Sequence, residues 1–371
     1  MKPDLYLASV SDVHLGHNKT PTLHIAKNLM KAFPDVESTG ELDMVIFGGD
    51  LFDQLLTMNQ AEVTQALEAM ALFMSMCHRR KIHVVFMEGT PSHDWGQNRL
   101  LEMFDRLQGN SPYFHYVKDL SIIYYADLDI HVLYVPDEWR PETDDTWKEV
   151  RELMREQNLE QVDFTIVHGC FDFQLPDHVK APRHLAERYQ QITRHLVFGA
   201  HVHTPSVHGN IRVNGSFDRL AHNEEEAKGH WRARYFPDRA PEVQFIVNRD
   251  AMTYLTVECT GMELEEAFAV LDRVTSGCRE GSHFRIKANK ADPIIVGLDT
   301  VRKRYPQYHW TSKVVEQEEV QKTLLVDMRS QFVQVQITPE NIEELLTQKM
   351  GGMTANPAIL ARAVQRMKEL V

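Results

Sequence analysis

Along this chain short apolar runs alternate with longer stretches in which apolar residues recur every three or four positions, and many of the short runs stop at glycine, aspartate or histidine. Such runs read as buried strands and the periodic stretches as helices with one apolar face. Strands are expected at 5–13, 41–49, 82–87, 121–125, 130–135, 162–167 and 196–198, with a hairpin strand at 210–217 and helices at 22–33, 59–80 and 146–158. The helix over 59–80 closes in Arg79-Arg80-Lys81, cations where the helix dipole favours them. Residues 219–235, rich in charge, read as a polar loop.

The pattern changes near Pro237–Pro241, and a domain boundary is placed there. A β-α-β-α-β succession follows, with strands at 242–258, 282–288 and 312–316 and helices at 262–276 and 296–305. Thr338-Pro339 and Asn356-Pro357 each put proline in a first helical turn behind a capping residue, with Gly351-Gly352 between the two helices. The last helix carries Ile359, Leu360, Ala363, Val364, Met367 and Leu370 as an apolar stripe. The expected domains are 1–237, 238–330 and 331–371, and alternating strands and helices make the fold class α/β, sheets layered with helices.

Composition narrows the reading without deciding it. At 371 residues the chain is long enough for more than one domain, and 43% hydrophobic with 25% charged residues is ordinary for a globular protein. No apolar run approaches the roughly 18 residues of a membrane span, and the start lacks a signal-peptide core, so no membrane is expected and the location is taken as cytoplasmic, or host cytoplasm for a viral protein. Cys77, Cys170, Cys259 and Cys278 lie far apart and suggest neither a disulfide framework nor a zinc cluster. A net charge of −13 argues against coating nucleic acid by bulk electrostatics, although local basic patches remain compatible with it.

The histidines change the picture more. There are 19, and several directly follow apolar runs, which suggests a transition-metal site. The strand ends read D-x-H (Asp12, His14), G-D-x-x-D (Asp50, Asp53), S-H-D (Ser92, His93, Asp94), H-G (His168) and G-x-H-x-H (His201, His203). In an extended segment residues two apart project to the same side, so Asp12 and His14 can serve one ion. Asp53 reads as an outer carboxylate or a helix cap, and His17 as a residue of the rim.

In this order the motifs resemble the calcineurin-like metallophosphoesterase superfamily, whose pattern is D-x-H, G-D-x-x-D, G-N-H-D, H and G-H-x-H. The resemblance implies a layered β-sandwich flanked by helices, here with a small α/β capping domain and a helical C-terminal tail. It implies two divalent ions, roughly 3.5–4 Å apart, that clamp a phosphate ester and lower the pKa of a bound water so that it acts as nucleophile. Mixed imidazole and carboxylate ligands suit manganese, iron or zinc, and Mn2+ is the expected ion. By the resemblance the first ion takes Asp12, His14, Asp50 and His203, and the second takes Asp50, His168, His201 and the asparagine of G-N-H-D. The chain departs from the pattern there: counting back from His93, Ser92 holds the asparagine position, with Thr90 and Pro91 inserted after Gly89. Ser92 is the expected ligand; its neutral hydroxyl is weaker than an amide carbonyl, so the second ion is expected to be held less tightly or to use a water there, with Thr90 or a backbone carbonyl as the alternative. By the resemblance His93 contacts the scissile phosphate as a general acid, oriented by Asp94.

Gly215-Ser216-Phe217-Asp218-Arg219 and Glu224 to Gly229, after the histidine pair, resemble the G-S-x-x-R and E-x-x-K-G runs of the SbcD-type nuclease subunit of a double-strand-break repair complex. That resemblance implies a DNA exonuclease and endonuclease, a homodimer, partnered by an SbcC-type coiled-coil ATPase that docks on the C-terminal helix. Candidate DNA contacts are His17, Trp95, Arg99, Arg183 and Lys228. The alternatives are a phosphatase or small-molecule phosphodiesterase on the same site, or a scaffold subunit that has lost the second ion.

Overall fold

The apolar runs become strands that are buried on two faces, because each carries alternate side chains into different cores. The computed structural model describes residues 5–315 apart from 57–59, 138–141, 177–178 and 237–238. β1 (Leu5–Val10), β2 (Met44–Phe47), β3 (His83–Met87) and β4 (Phe114–Val117) are mutually parallel. β5 (Ser121–Tyr125), β6 (Ile130–Val135), β7 (Val162–His168), β8 (Thr193–Ala200), β9 (Ser206–His208) and β10 (Ile211–Val213) form a second sheet in the order β5-β6-β7-β8-β10-β9. β11 (Gly229–Tyr235) and β12 (Glu242–Val247) then return to the first sheet, which reads β12-β11-β1-β2-β3-β4.

The two sheets face each other. Leu7, Met44, Ile46, Val85 and Met87 of the first pack with Val132, Tyr134, Phe164, Ile166 and Phe198 of the second. The neighbouring residues point the other way: Ala8, Val10, Val45, Phe47, Val84 and Phe86 meet the helices Thr22–Ala32 and Ala61–Arg80. On the far side Leu133, Val135, Val167 and Val197 meet the helices Thr143–Glu156 and Ala186–Ile192. The result is the expected mixed α/β architecture, a β-sandwich with helices on both outer faces.

A smaller unit follows, in which β13 (Tyr254–Glu258), β14 (His283–Ala288) and β15 (His309–Val314) form a parallel sheet. Its core joins Val257, Phe284, Ile286 and Trp310 to Ala267 and Leu271 of the helix Leu264–Thr275. The change of sheet thus falls between Val247 and Tyr254, later than the boundary expected at 237. The expected single strand over 242–258 is two strands in two sheets, parted by a turn at Arg249 and Asp250. Residues 229–235, expected as loop, form β11, where Trp231 and Ala233 face the inner core while Arg232 and Arg234 lie over the rings of Phe33 and Tyr6. The expected C-terminal segment 331–371, with its apolar stripe, lies outside the described residues.

Candidate metal centre

Parallel strands deliver their following residues to one edge, and here the ends of β1, β2 and β3 meet those of β7 and β8 from the facing sheet. The turn after β1 is tied to the turn after β2: Asp12 N donates to Gly49 O (3.0 Å), and Val13 N and His14 N donate to Asp50 O (2.9 and 3.1 Å). Asp12, His14, Asp50 and His201 all sit at positive φ, between 51° and 76°, which costs non-glycine residues energy. Each of these strained residues carries a side chain of the site, and the inter-turn hydrogen bonds hold them there. Gly89 lets the β3 turn come close, since a Cβ would lie 2.2 Å from Asp50 N.

Two clusters share this edge. Asp12, His14 and His203 bring ligand atoms within 4.8 Å of one another, and so do Asp50, His168 and His201. Asp50 links them, with Oδ1 3.3 Å from His168 Nε2 and Oδ2 3.9 Å from His14 Nε2. His14, Asp53 and His93 make a third grouping beside the first, with Asp53 Oδ1 3.1 Å from His14 Nδ1. The His93 ring stands edge-on to that of His14, centroids 4.9 Å apart.

The donor set fits divalent cations. His168 Nδ1 donates to the carbonyl of Gly48 (2.8 Å) and His203 Nδ1 to Glu224 Oε1 (2.8 Å), which leaves both Nε2 atoms turned to the centre. His203 Nε2 faces His14 Nε2 at 3.1 Å, a distance at which two imidazole lone pairs need a proton or a cation near them. The charges agree. Burial raises the Asp50 carboxyl, but His168, His14 and His93 outweigh it and hold it well below the usual carboxylate range. Burial lowers His168, and Asp50 outweighs that and raises it to about 10. Without metal, a proton on His168 thus supplies the positive charge that a cation would otherwise supply. His201 is lowered, by burial first and then by the neighbouring His168. His203 is raised by Glu224 against burial, and Glu224, opposed by burial, is held down to about 2 by His203 and Lys228.

The structure brings together Asp12, His14, Asp50, His168, His201 and His203, with His93 at the edge. It does not bring in Ser92, which is exposed on the short helix Pro91–Asp94 and borders a cleft lined by Glu88, Trp95 and Lys118. Thr90, and not Ser92, stands beside the cluster, with Oγ1 3.2 Å from Asp50 Oδ2. Asp94 does not orient His93 either. Its buried carboxylate accepts the backbone N–H groups of Asp50 (3.0 Å), Phe52 (3.0 Å) and Gly89 (2.7 Å), whereas His93 Nδ1 donates to the carbonyl of Asp53 (2.6 Å). Burial, Asp50 and Glu88 raise the Asp94 carboxyl, and the backbone donors oppose them.

Of the expected DNA contacts, His17 sits half-buried at the rim with Nδ1 accepting from Thr20 N (2.9 Å). Trp95 and Arg99 are exposed, Arg99 3.7 Å from Glu102. Arg183 directs its guanidinium at the carbonyls of Leu175, Pro176 and Val179 in its own loop. Lys228 is fully buried, bonded to His203 O (2.8 Å) and Glu226 (2.8 Å) and 3.2 Å from Glu224, so it cannot meet a nucleic acid from this position. Its burial is the physical reason: a lysine wholly out of water needs carboxylates around it, and this one has two. Glu224 and Thr90 do not stand out as firm site residues in the sequence, although the acidic run after the histidine pair points toward the first.

A model of the calcineurin-like phosphoesterase family matches residues 6–205, more than half of the chain, and the chain belongs to that family. Membership implies metal-dependent hydrolysis of phosphoesters, and the clustered histidines and aspartates are where this chain can hold the metal. Among solved structures, the crystal structure of TT1561 of Thermus thermophilus is similar at 14% identity and a TM-score of 0.39, covering 65% of this chain and 98% of that one. A second crystal structure is similar at 11% identity and a TM-score of 0.39, with the same coverage of both chains. No curated protein matches. No helix among the described residues is long and apolar enough to cross a membrane.

Proposed function

We propose that this phosphoesterase is a DNA nuclease, with exonuclease and endonuclease activity on DNA ends, working as a homodimer beside an SbcC-type coiled-coil ATPase. The observation that carries the reading is the way the nuclease-like run after the histidine pair closes on the metal centre. Ser216 Oγ donates to Glu224 Oε2 (3.0 Å), Glu224 accepts from His203, and Lys228 binds the His203 carbonyl. The residues that resemble the G-S-x-x-R and E-x-x-K-G runs therefore support a candidate ligand. The three-stranded unit after Tyr254 adds weight, since a minimal phosphatase has no need of one, and Tyr254 Oη contacts Thr20 Oγ1 (3.0 Å) in the loop behind His17.

In this reading Asp12, His14, Asp50 and His203 hold one ion, and Asp50, His168 and His201 with one more oxygen donor hold the other; Mn2+ suits the set. The ions would activate water and neutralise charge developing on the phosphodiester. Among the chain's own groups, Asp50 would be shared between the ions, and Glu224 and the Gly48 carbonyl fix the tautomers of His203 and His168. The His93 Nδ1–H is held by the Asp53 carbonyl, which leaves Nε2 free to serve the departing oxygen as a general acid in this reading. The test is turnover of linear duplex DNA with Mn2+, with and without the ATPase, against nitrophenyl phosphate esters. DNA degradation is expected; hydrolysis of the small esters with DNA left intact under both conditions would overturn the nuclease reading.

A further inference from the structure

The turn after β3 carries Glu88-Gly89-Thr90-Pro91-Ser92-His93-Asp94, and three groups in it could complete the Asp50–His168–His201 cluster: the Ser92 hydroxyl, the Thr90 carbonyl and the Thr90 hydroxyl. Two are excluded by what they already do. Ser92 is exposed on the helix Pro91–Asp94. The Thr90 carbonyl accepts from His93 N (2.8 Å) and Asp94 N (3.0 Å), so its oxygen points into that helix.

The Thr90 hydroxyl is differently placed. Threonine at a helix N-cap ordinarily turns its oxygen to the first-turn N–H groups, yet here no side-chain cap bond forms. Oγ1 lies instead 3.2 Å from Asp50 Oδ2, 3.3 Å from His168 Nε2 and 3.2 Å from His201 Nδ1, close to a candidate ligand atom of every residue in the cluster. Its position is fixed from behind, because Thr90 N donates to Asp50 Oδ1 at 2.6 Å. Gly89 makes that approach possible, a Cβ there falling 2.3 Å from the same oxygen.

We propose that the Thr90 hydroxyl is the fourth protein ligand of the second divalent ion, in place of an amide carbonyl, and that it makes the two ions of this centre unequal in affinity. The inference rests on the two-ion centre of the preceding reading and is independent of whether DNA is the substrate. A neutral hydroxyl donates less electron density to a cation than an amide oxygen does. The second ion is therefore held mainly by Asp50 and two imidazoles, whereas the first has Asp12 and Asp50 together with two imidazoles. The inserted Pro91 and Ser92 are then spacers: they let Thr90 stay at the metal while the short helix returns His93 to within 4.9 Å of His14.

Binding of Mn2+ to metal-free protein, followed by calorimetry and by the paramagnetic resonance signal of free and exchange-coupled Mn2+, tests this without any turnover. The wild-type chain should bind two ions in separable steps with a coupled-pair signal at saturation. Thr90→Val, which keeps the shape and the backbone N–H, should weaken the second step by about tenfold or more and leave the first. Thr90→Ser should restore it, Thr90→Asn should tighten it, and Ser92→Ala should behave as wild type. A Thr90→Val protein with two wild-type steps, a wild-type protein that binds one ion or none, or a loss that follows Ser92→Ala instead would each overturn the proposal. Because the readout is binding, loss of DNA cleavage with intact stoichiometry would count against the nuclease reading alone.

Discussion

His203 and Glu224, separated by 21 positions in the chain, form one functional unit: the imidazole donates Nδ1–H to Glu224 Oε1 at 2.8 Å and so turns its Nε2 toward His14. Burial raises the Glu224 carboxyl, but the His203 bond and Lys228 bring it down to about 2, so it is ionised near neutral pH. A charged partner behind a ligand imidazole makes that imidazole a better donor to metal. Glu224→Gln should therefore lower Mn2+ affinity by roughly tenfold, in the tighter of the two steps, as read by calorimetric titration of the metal-free protein. Unchanged affinity would mean that Glu224 serves the packing of its own loop, through Lys228, Ser216 and Leu220 N, and not the metal.

Lys228 makes the complementary case. It has no exposed surface and bridges Glu224, Glu226 and the His203 carbonyl, so it belongs to the interior of the centre and not to a phosphate-binding face. Removing one partner of a buried ion pair leaves a charge uncompensated, at a cost of about 3–5 kcal/mol. Lys228→Met should show this as a lower melting temperature. Under the proposed nuclease function, the salt dependence of duplex DNA binding should keep its slope, because only a lysine that neutralises a phosphate would, when removed, reduce that slope by about one unit. A shallower slope with unchanged melting would restore Lys228 to the proposed DNA-contacting residues.

Much of the centre is legible in the sequence, for a definite reason. A strand buried on both faces is written as a largely apolar run, so its end is visible: His168 is the last residue of β7, His201 follows β8, and Asp12 and Asp50 come two and three residues after the ends of β1 and β2. What stays hidden depends on geometry that spacing does not carry. Counting back from His93 assumes an unbroken loop, but Pro91 starts a short helix and moves Ser92 outward while Thr90 stays at the metal edge. Asp94 looks like a partner for its neighbour His93, yet helical geometry turns it inward to the turns after β2 and β3. β11 is obscured because Arg232 and Arg234 break its apolar pattern, and only their stacking over Phe33 and Tyr6 shows how they are accommodated.

His230, on β11, sets a pH dependence away from the metal. Burial, and then the adjacent Arg232, push it down to about 3, and Arg232 Nε donates to its Nε2 at 3.0 Å, so the ring is held neutral. The unfolded chain takes up a proton below about 6.5 while the folded chain does not, so stability is lost as pH falls through that value. Between pH 7 and 5 this one group should remove about 2 kcal/mol. His230→Gln keeps an acceptor for Arg232 and removes the titration. Its melting temperature should vary less with pH over that interval than the wild type's, and an equal variation would place the acid sensitivity elsewhere.

His93 and Asp94 are neighbours in sequence with separate duties, and paired variants separate them. Asp94 gathers three backbone N–H groups from the turns that carry Asp50 and Gly89, so Asp94→Asn sets an amide N–H₂ where a backbone donor expects an acceptor. Each buried donor left unpaired costs about 1–3 kcal/mol. The variant should melt lower without metal, recover part of the loss when Mn2+ is added, and bind the ions less tightly. His93 touches neither turn through a side-chain bond other than Nδ1 to the Asp53 carbonyl among the described residues, and although it groups with His14 and Asp53 it belongs to neither the Asp12–His14–His203 nor the Asp50–His168–His201 cluster. His93→Ala should therefore keep both melting temperature and metal stoichiometry while phosphoester hydrolysis falls by about a hundredfold or more. If Asp94 acted through His93 instead, Asp94→Asn would reproduce the loss of turnover with its melting curve unmoved.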